Sequence, residues 1–233
     1  YEISACLVGS EMCIRDRTKI IKVQKPKFTG ELEIIENLED ILEDIFNDEK
    51  IFNKIIENEV ISDLDSVRVS FESCIFRNVS FENCNLKKID LLDVVFENCN
   101  LSNTFFDGGS IYRVEFKNSK LIGVRFDDCI LKNVLFKDVL GKYSNFSFSK
   151  FKIVSILDSN FENSVFQEVK GDNLVFEYTN LKKANFNGTK LSGIDFTTNN
   201  IEGIEIGIDD IRGAIFDVSQ AIDLTKLMGI IIK

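Results

Sequence analysis

The sequence predicts an all-β solenoid in which the chain turns a corner every five residues and closes a coil every four sides. Three observations predict it. At every fifth position from Phe71 to Phe216 the residue is Phe, Leu or Ile, and the only exceptions are Gly141 and Gly171. Two residues before each of these centres, 24 of 30 positions from Val69 to Ala214 hold Ala, Cys, Gly, Ser, Thr or Val. Alternate centres also differ in type. Those at 76, 86, 96 and onward to 216 are Phe at 12 of 15 positions, whereas those at 71, 81, 91 and onward to 211 are Phe at only 4 of 15.

A period of five fits neither standard element. On an α-helix it rotates the apolar positions around the axis, and on a flat strand it sends successive large residues to opposite faces. A corner every five residues resolves the conflict, because each short side then points one large and one small residue inward. The alternation of centres makes opposite sides alike, as four sides of five residues require. One column, Phe76, Phe96, Phe116, Phe136, Ile156, Phe176, Phe196 and Phe216, recurs once per coil and is Phe at all but one position. Stacked rings of this kind fill the axis and leave no room for a ligand cavity. About 150 residues in register make roughly seven and a half coils, a rod roughly 36 Å long at a strand spacing of about 4.8 Å. Each coil contacts only its neighbours, so the open ends need caps.

The pattern resembles the pentapeptide-repeat family, whose consensus is a small residue, a polar one, Leu or Phe, and two variable ones. Cys84-Asn85-Leu86, Cys99-Asn100-Leu101, Thr179-Asn180-Leu181 and Ala184-Asn185-Phe186 carry the resemblance, which covers about 69–218. It implies a right-handed quadrilateral β-helix, assigned here to 63–218.

The ends depart from the repeat. The string from Cys6 to Arg17 resembles translated sequencing-adapter sequence, so 1–17 is expected to be a non-native leader. Residues 18–62 are expected to form an acidic helical cap. The stretch 31–60 holds eleven acids against Lys50 and Lys54, and Asn37 can cap a helix with Leu38, Ile41, Leu42 and Ile45 on one face. A second helix is expected to follow, with Ile51, Phe52, Ile55 and Ile56 as its apolar side. The acidic helices can serve either to cover the first coil or to dock a partner. At the other end the frame weakens, since Asn199, Ile204 and Asp209 stand in slots meant for small residues. Ser219 is expected to cap a short helix that Gly229 ends, within a C-terminal unit of 219–233. The run from Asp217 to Ile230 resembles the ends of quinolone-resistance members of the family, which implies a symmetric homodimer with Ile222, Leu224, Leu227, Met228, Ile230 and Ile231 as contacts.

Composition excludes most catalytic chemistry. With no histidine the chain lacks the usual base near neutral pH and the commonest metal ligand, and no phosphate-binding glycine loop occurs. Cys74, Cys84, Cys99 and Cys129 follow the repeat's small slot at spacings of 10, 15 and 30, with no zinc-type close pairs, so they are expected to be buried, reduced and inert. No catalytic residue, cofactor or metal site is expected, and the protein is expected not to be an enzyme. No long apolar stretch or signal peptide is visible, which makes the cytoplasm the default location.

The formal charge of −10 is concentrated in the N-terminal acidic stretch. Residues 69–218 hold 21 acids and 17 bases, and no basic patch for direct nucleic-acid binding is present. One outward column stands out: Ile75, Val95, Glu115, Leu135, Ser155, Val175, Asp195 and Ile215. Its apolar members, Ile75, Val95, Leu135, Val175 and Ile215, form a candidate partner stripe unless the protein's own N-terminal segment covers them. The expected function is a non-catalytic scaffold for a protein partner. The alternative is a DNA-mimicking protein that binds DNA gyrase and protects it from quinolones, which the C-terminal resemblance implies and the near-balanced charge argues against.

Overall fold

The structure is a computed structural model that describes residues 22–35, 37–46, 49–65 and 68–230. The non-native leader expected at 1–17 lies outside the described residues.

Every fifth residue from Asn53 to Gly193 has a positive φ, and each marks a corner. At a corner the backbone turns toward the following coil. The Asn78, Asn98 and Asn118 N–H groups donate to the Glu97, Lys117 and Lys137 carbonyls of that coil at 3.0, 3.1 and 3.0 Å. Pairing between strands is parallel, with equivalent residues of successive coils in register, as in Phe96↔Phe116 and Phe136↔Ile156. Five eight-residue strands, Asp90–Glu97, Ser110–Lys117, Ile130–Lys137, Lys150–Leu157 and Lys170–Glu177, each run along two sides and bend at the corner between them. The other two sides are held by single bridges such as Asn100↔Lys120 and Asn145↔Val165.

The five-residue centres and the small slots both point inward, and together they form one continuous buried cluster. Two phenylalanine ladders run up opposite sides. In one, Phe76, Phe96, Phe116 and Phe136 stack at 4.8–5.0 Å between ring centres. In the other, Phe126, Phe146, Phe166 and Phe186 do so at 4.8–5.0 Å. The ladders meet edge to face, for example Phe136 on Phe146 at 5.8 Å and 83°, the arrangement that ring quadrupoles favour. Gly141 interrupts the centres because the Phe161 ring fills its place. A Cβ there would stand 2.5 Å from Phe161 Cε1. At Gly171 a Cβ would stand 1.8 Å from the Phe151 carbonyl oxygen, so no side chain fits.

Polar residues in the small slot also satisfy backbone groups. Ser119 Oγ accepts from Cys99 N–H at 3.0 Å and donates to the Lys117 carbonyl at 2.6 Å; Ser159 repeats the device, and Thr189 accepts from Val169 N–H and donates to the Phe166 carbonyl of the preceding coil. Asn199, expected to be a misfit, does the same work with its amide, accepting from Thr179 N–H and donating to the Phe176 carbonyl. Ile204 is buried in its slot. Asp209 is exposed, and Asp210 turns inward instead to accept from Gly188 N–H at 2.8 Å.

The ends correct two expectations. Helix α1, Leu38–Phe46, forms with Asn37 Oδ1 accepting from Glu39 N–H, and its Ile41 and Ile45 join the core. The expected second helix does not form. Ile51–Phe52 and Lys54–Glu57 are strands paired with Ser70–Glu72 and Ile75–Arg77, because Ile51, Ile56 and Ile61 extend the five-residue period one coil toward the N-terminus. Helix α2, Val218–Leu224, is capped by Asp217 and not by Ser219, since Gln220 completes a reciprocal capping box with Asp217. A 3₁₀ turn, Thr225–Met228, follows and ends at Gly229 with φ 69°.

Phe136→Ala removes a ring flanked on both ladders, and the neighbouring coils hold the cavity open. It is expected to cost about 3–5 kcal/mol in a denaturant titration. A loss below about 1 kcal/mol would show that the ladder relaxes around the gap.

Candidate interaction surface

Since the interior is filled, the recognisable chemistry lies on the outer faces and at the corners. A left-handed backbone suits Gly, Asn and Asp, and these hold 19 of the 29 corners from Asn53 to Gly193. The other ten hold residues of other types, and among them Tyr143, Phe148, Ile153 and Tyr178, at φ 60°, 62°, 62° and 49°, are the bulky apolar and aromatic ones. Large side chains there cost about 1–2 kcal/mol each, and Tyr143, Phe148 and Tyr178 are also exposed. The sequence did carry this signal: aromatic residues two positions after a centre stand out against the prevailing Asn, Asp and Gly.

Tyr143 and Phe148 flank one side, and on that side lies a polar cluster. Arg125 Nε donates to Asp127 Oδ2 at 3.0 Å and stands 3.3 Å from Asp107 Oδ1, while Asn145 Nδ2 donates to Asp127 Oδ1 at 2.7 Å. The Arg125 guanidinium and the Lys87 ammonium also lie over the Phe105 ring at 5.4 and 6.0 Å. Both Asp107 carboxyl oxygens are buried with no hydrogen-bond partner among the described residues. Burial, and then the neighbouring Asp127 with which it can share a proton, pushes Asp107 above the ordinary aspartate value against the pull of Arg125 and Lys87.

Elsewhere on the rod, charges on equivalent positions of successive coils are matched. Arg77 pairs with Glu57 at 2.6 Å, Lys142 with Glu162 at 2.7 Å, Lys182 with Glu202 at 2.7 Å and Lys190 with Asp210 at 2.8 Å.

Two family models describing pentapeptide repeats match 89–164 and 159–197, the second as eight copies of the repeat. The chain is a pentapeptide-repeat protein. The model of the SV2A/B/C luminal domain also matches, over 36–126. Among solved structures, full-length QnrB1, a plasmid-mediated fluoroquinolone resistance protein, is 18% identical, with 76% of this chain and 100% of that chain covered at a TM-score of 0.43. HetL, a pentapeptide-repeat protein involved in heterocyst differentiation regulation from the cyanobacterium Nostoc, is 12% identical, with 78% and 95% covered at a TM-score of 0.39. No curated protein matches the chain.

In this pentapeptide-repeat protein the partner stripe is not open along its length. Ile75 is buried at 9% exposure, Val95, Leu135 and Val175 are half-buried, and only Ile215, at 48%, is exposed. Glu115, between Val95 and Leu135, is buried and paired with Lys117. Backbone donors from the chain's own segment 22–28 reach the corners beside this column.

The expected C-terminal contacts cluster more openly. Ile222, Leu227 and Ile230 are exposed and Leu224 is half-buried. Leu224 and Leu227 line an apolar groove of about 240 Å³ with Ile208, Ile211 and Phe216. The Met228 side chain and Ile231 lie outside the described residues. Cys74, Cys84, Cys99 and Cys129 are buried, and burial pushes Cys74 and Cys99 up to about 11 and Cys129 to about 12. Among the described residues no cluster of three or more Cys, Asp or Glu suits a metal ion, and no helix is long and apolar enough to cross a membrane.

A raised carboxyl favours its neutral form in the folded state. Asp107 therefore contributes stability that is full in acid below the ordinary aspartate range and is lost as pH rises through its folded-state value. Asp107→Asn keeps the neutral form at all pH. The variant is expected to match the parent in urea titrations at pH 4 and to exceed it at pH 8. A difference that does not change with pH would assign the titration to another group.

Proposed function

We propose that this pentapeptide-repeat rod is a non-catalytic scaffold that works by binding a protein partner on its outer faces. The observation that carries the reading is the retention of exposed Tyr143, Phe148 and Tyr178 at corners where their backbone is strained. Strain of this kind persists where a side chain is needed for something other than folding. The packed axis supports the same reading, since it leaves the interior no space for a substrate. The buried, free thiols suit the cytoplasm as its place of action.

The exposed groove beside α2 favours a homodimer formed end to end, with Ile222, Leu224, Leu227 and Ile230 at its centre. Leu227→Asp is expected to halve the mass measured by sedimentation equilibrium without loss of folded signal. A parent that is already monomeric at tens of micromolar would remove the dimer from the reading.

Gyrase binding is the second reading, favoured by the C-terminal sequence from Asp217 to Ile230. Against it stands the matching of acids with bases from coil to coil, which leaves the rod a poor copy of a phosphate backbone. A supercoiling assay with and without a fluoroquinolone separates the two. Protection at low micromolar protein would establish the gyrase reading. The scaffold reading expects no effect on gyrase. It also expects a discrete cross-linked protein when a photo-reactive residue replaces Tyr143 or Tyr178 in cells, and no cross-link from either position would sink it.

A further inference from the structure

The five long strands share one corner row: Asp93, Arg113, Asn133, Ile153 and Asn173. Residues 22–28 reach two members of this row. Lys27 N–H donates to Asp93 Oδ1 at 2.8 Å, and Gln24 N–H donates to Asn133 Oδ1 at 3.2 Å. The two acceptors stand two coils apart, and the two donors are three residues apart. Three residues of polyproline-type chain advance about 9.3 Å, and two coils span about 9.6 Å. The two repeats therefore match. The side chains keep the same period of three, with Val23 and Pro26 half-buried while Lys22, Gln24, Lys25, Lys27 and Phe28 are exposed. Pro26, the only proline of the chain, sets the backbone for that conformation.

The acceptors are held ready. Arg113 fixes the Asp93 carboxylate through Nε and Nη2, both at 2.5 Å, and with residues 22–28 in place Asp93 and Asn133 are 5% and 1% exposed. Because Asp93 is already neutralised by Arg113, it offers an oxygen to a backbone N–H and no net charge to a lysine. Asn173 continues the series two coils further on and is exposed. At the other end Gly30, with φ 102°, turns the chain into Glu33–Ile34, which pairs with the first coil. The segment is thus a strap tethered at one end and seated on a ladder of side-chain oxygens.

We propose that the Asp93–Asn133 corner row is a docking groove for an extended polypeptide in polyproline-type conformation, occupied in this structure by the chain's own residues 22–28. The groove reads a free N–H at every third residue, each preceded by Val or Pro. A partner segment with that pattern gains the groove by displacing the strap, which makes the strap an intramolecular competitor. This rests on the scaffold reading and names the conformation of the partner that one row takes.

The test uses the full chain and the double variant Gln24→Pro/Lys27→Pro, which removes both donors and keeps an extended backbone. Amide hydrogen exchange follows residues 22–28, and fluorescence anisotropy follows a labelled peptide of residues 22–29. In the parent, the Gln24 and Lys27 amides are expected to exchange at least tenfold more slowly than in the free peptide. The peptide is expected to bind the double variant at least tenfold more tightly than the parent, and to lose that binding when Asn133→Leu is added. Unprotected amides in the parent would overturn the inference, a result readable even if the variant did not fold. Equal binding to parent and double variant, or none to the double variant, would also overturn it. Either failure leaves the strained corners untouched as a binding surface elsewhere on the rod.

Discussion

A left-handed residue at every fifth position sets the geometry of this protein, because each one converts a straight strand into a corner. With four corners per coil, position i+20 comes to lie against position i, and the side chains of one column stack without further instruction. The ring ladders, the serine and threonine bridges and the coil-to-coil ion pairs all follow from that one register. Beyond Gly193 the positive φ is kept at Gly203 and Gly213 but lost at Thr198 and Ile208, and the repeat weakens there too. Asp209 leaves its slot, and the chain passes into α2.

The same register separates stability from recognition. Two residues in five face inward, and they are so similar from coil to coil that they say nothing about a partner. Corner and outward residues are free to vary, since most of them contribute little to the core. Tyr143, Phe148 and Tyr178 are informative because they are not free: each holds a bulky side chain where Asn or Gly would relax the backbone. The Asp107–Asp127–Arg125 cluster is informative for the opposite reason, since it lies on an outer side yet keeps both oxygens of a carboxyl buried without a hydrogen bond among the described residues.

The rod also accounts for its own surface charge. Repetition from coil to coil puts an acid of one coil beside a base of the next, as in Lys142–Glu162 and Lys182–Glu202. Exposed pairs of this kind contribute little stability, on the order of 0–1 kcal/mol each. Their larger consequence is to flatten the field along the rod, so that recognition falls to shape, apolar contact and backbone hydrogen bonding.

The coil, its contents and its period were legible in the sequence, because a five-residue repeat of Phe, Leu and Ile with small residues two positions earlier admits no ordinary helix or sheet. Even Asn37 as a cap could be read, since capping is decided within one turn. Ile51, Ile56 and Ile61 were in register too, but an acidic, amphipathic neighbourhood made them look helical. Only stacking against Phe71, Phe76 and Phe81 decides for strand, because a parallel strand has no partner within its own segment. The tertiary structure alone decided which outward residues are free. The apolar column beginning at Ile75 reads as a surface in sequence, yet residues 22–28 meet the corners beside it from 66 and 109 positions away. Local patterning determines which way a side chain points; what lies across it depends on chain segments that no local pattern connects.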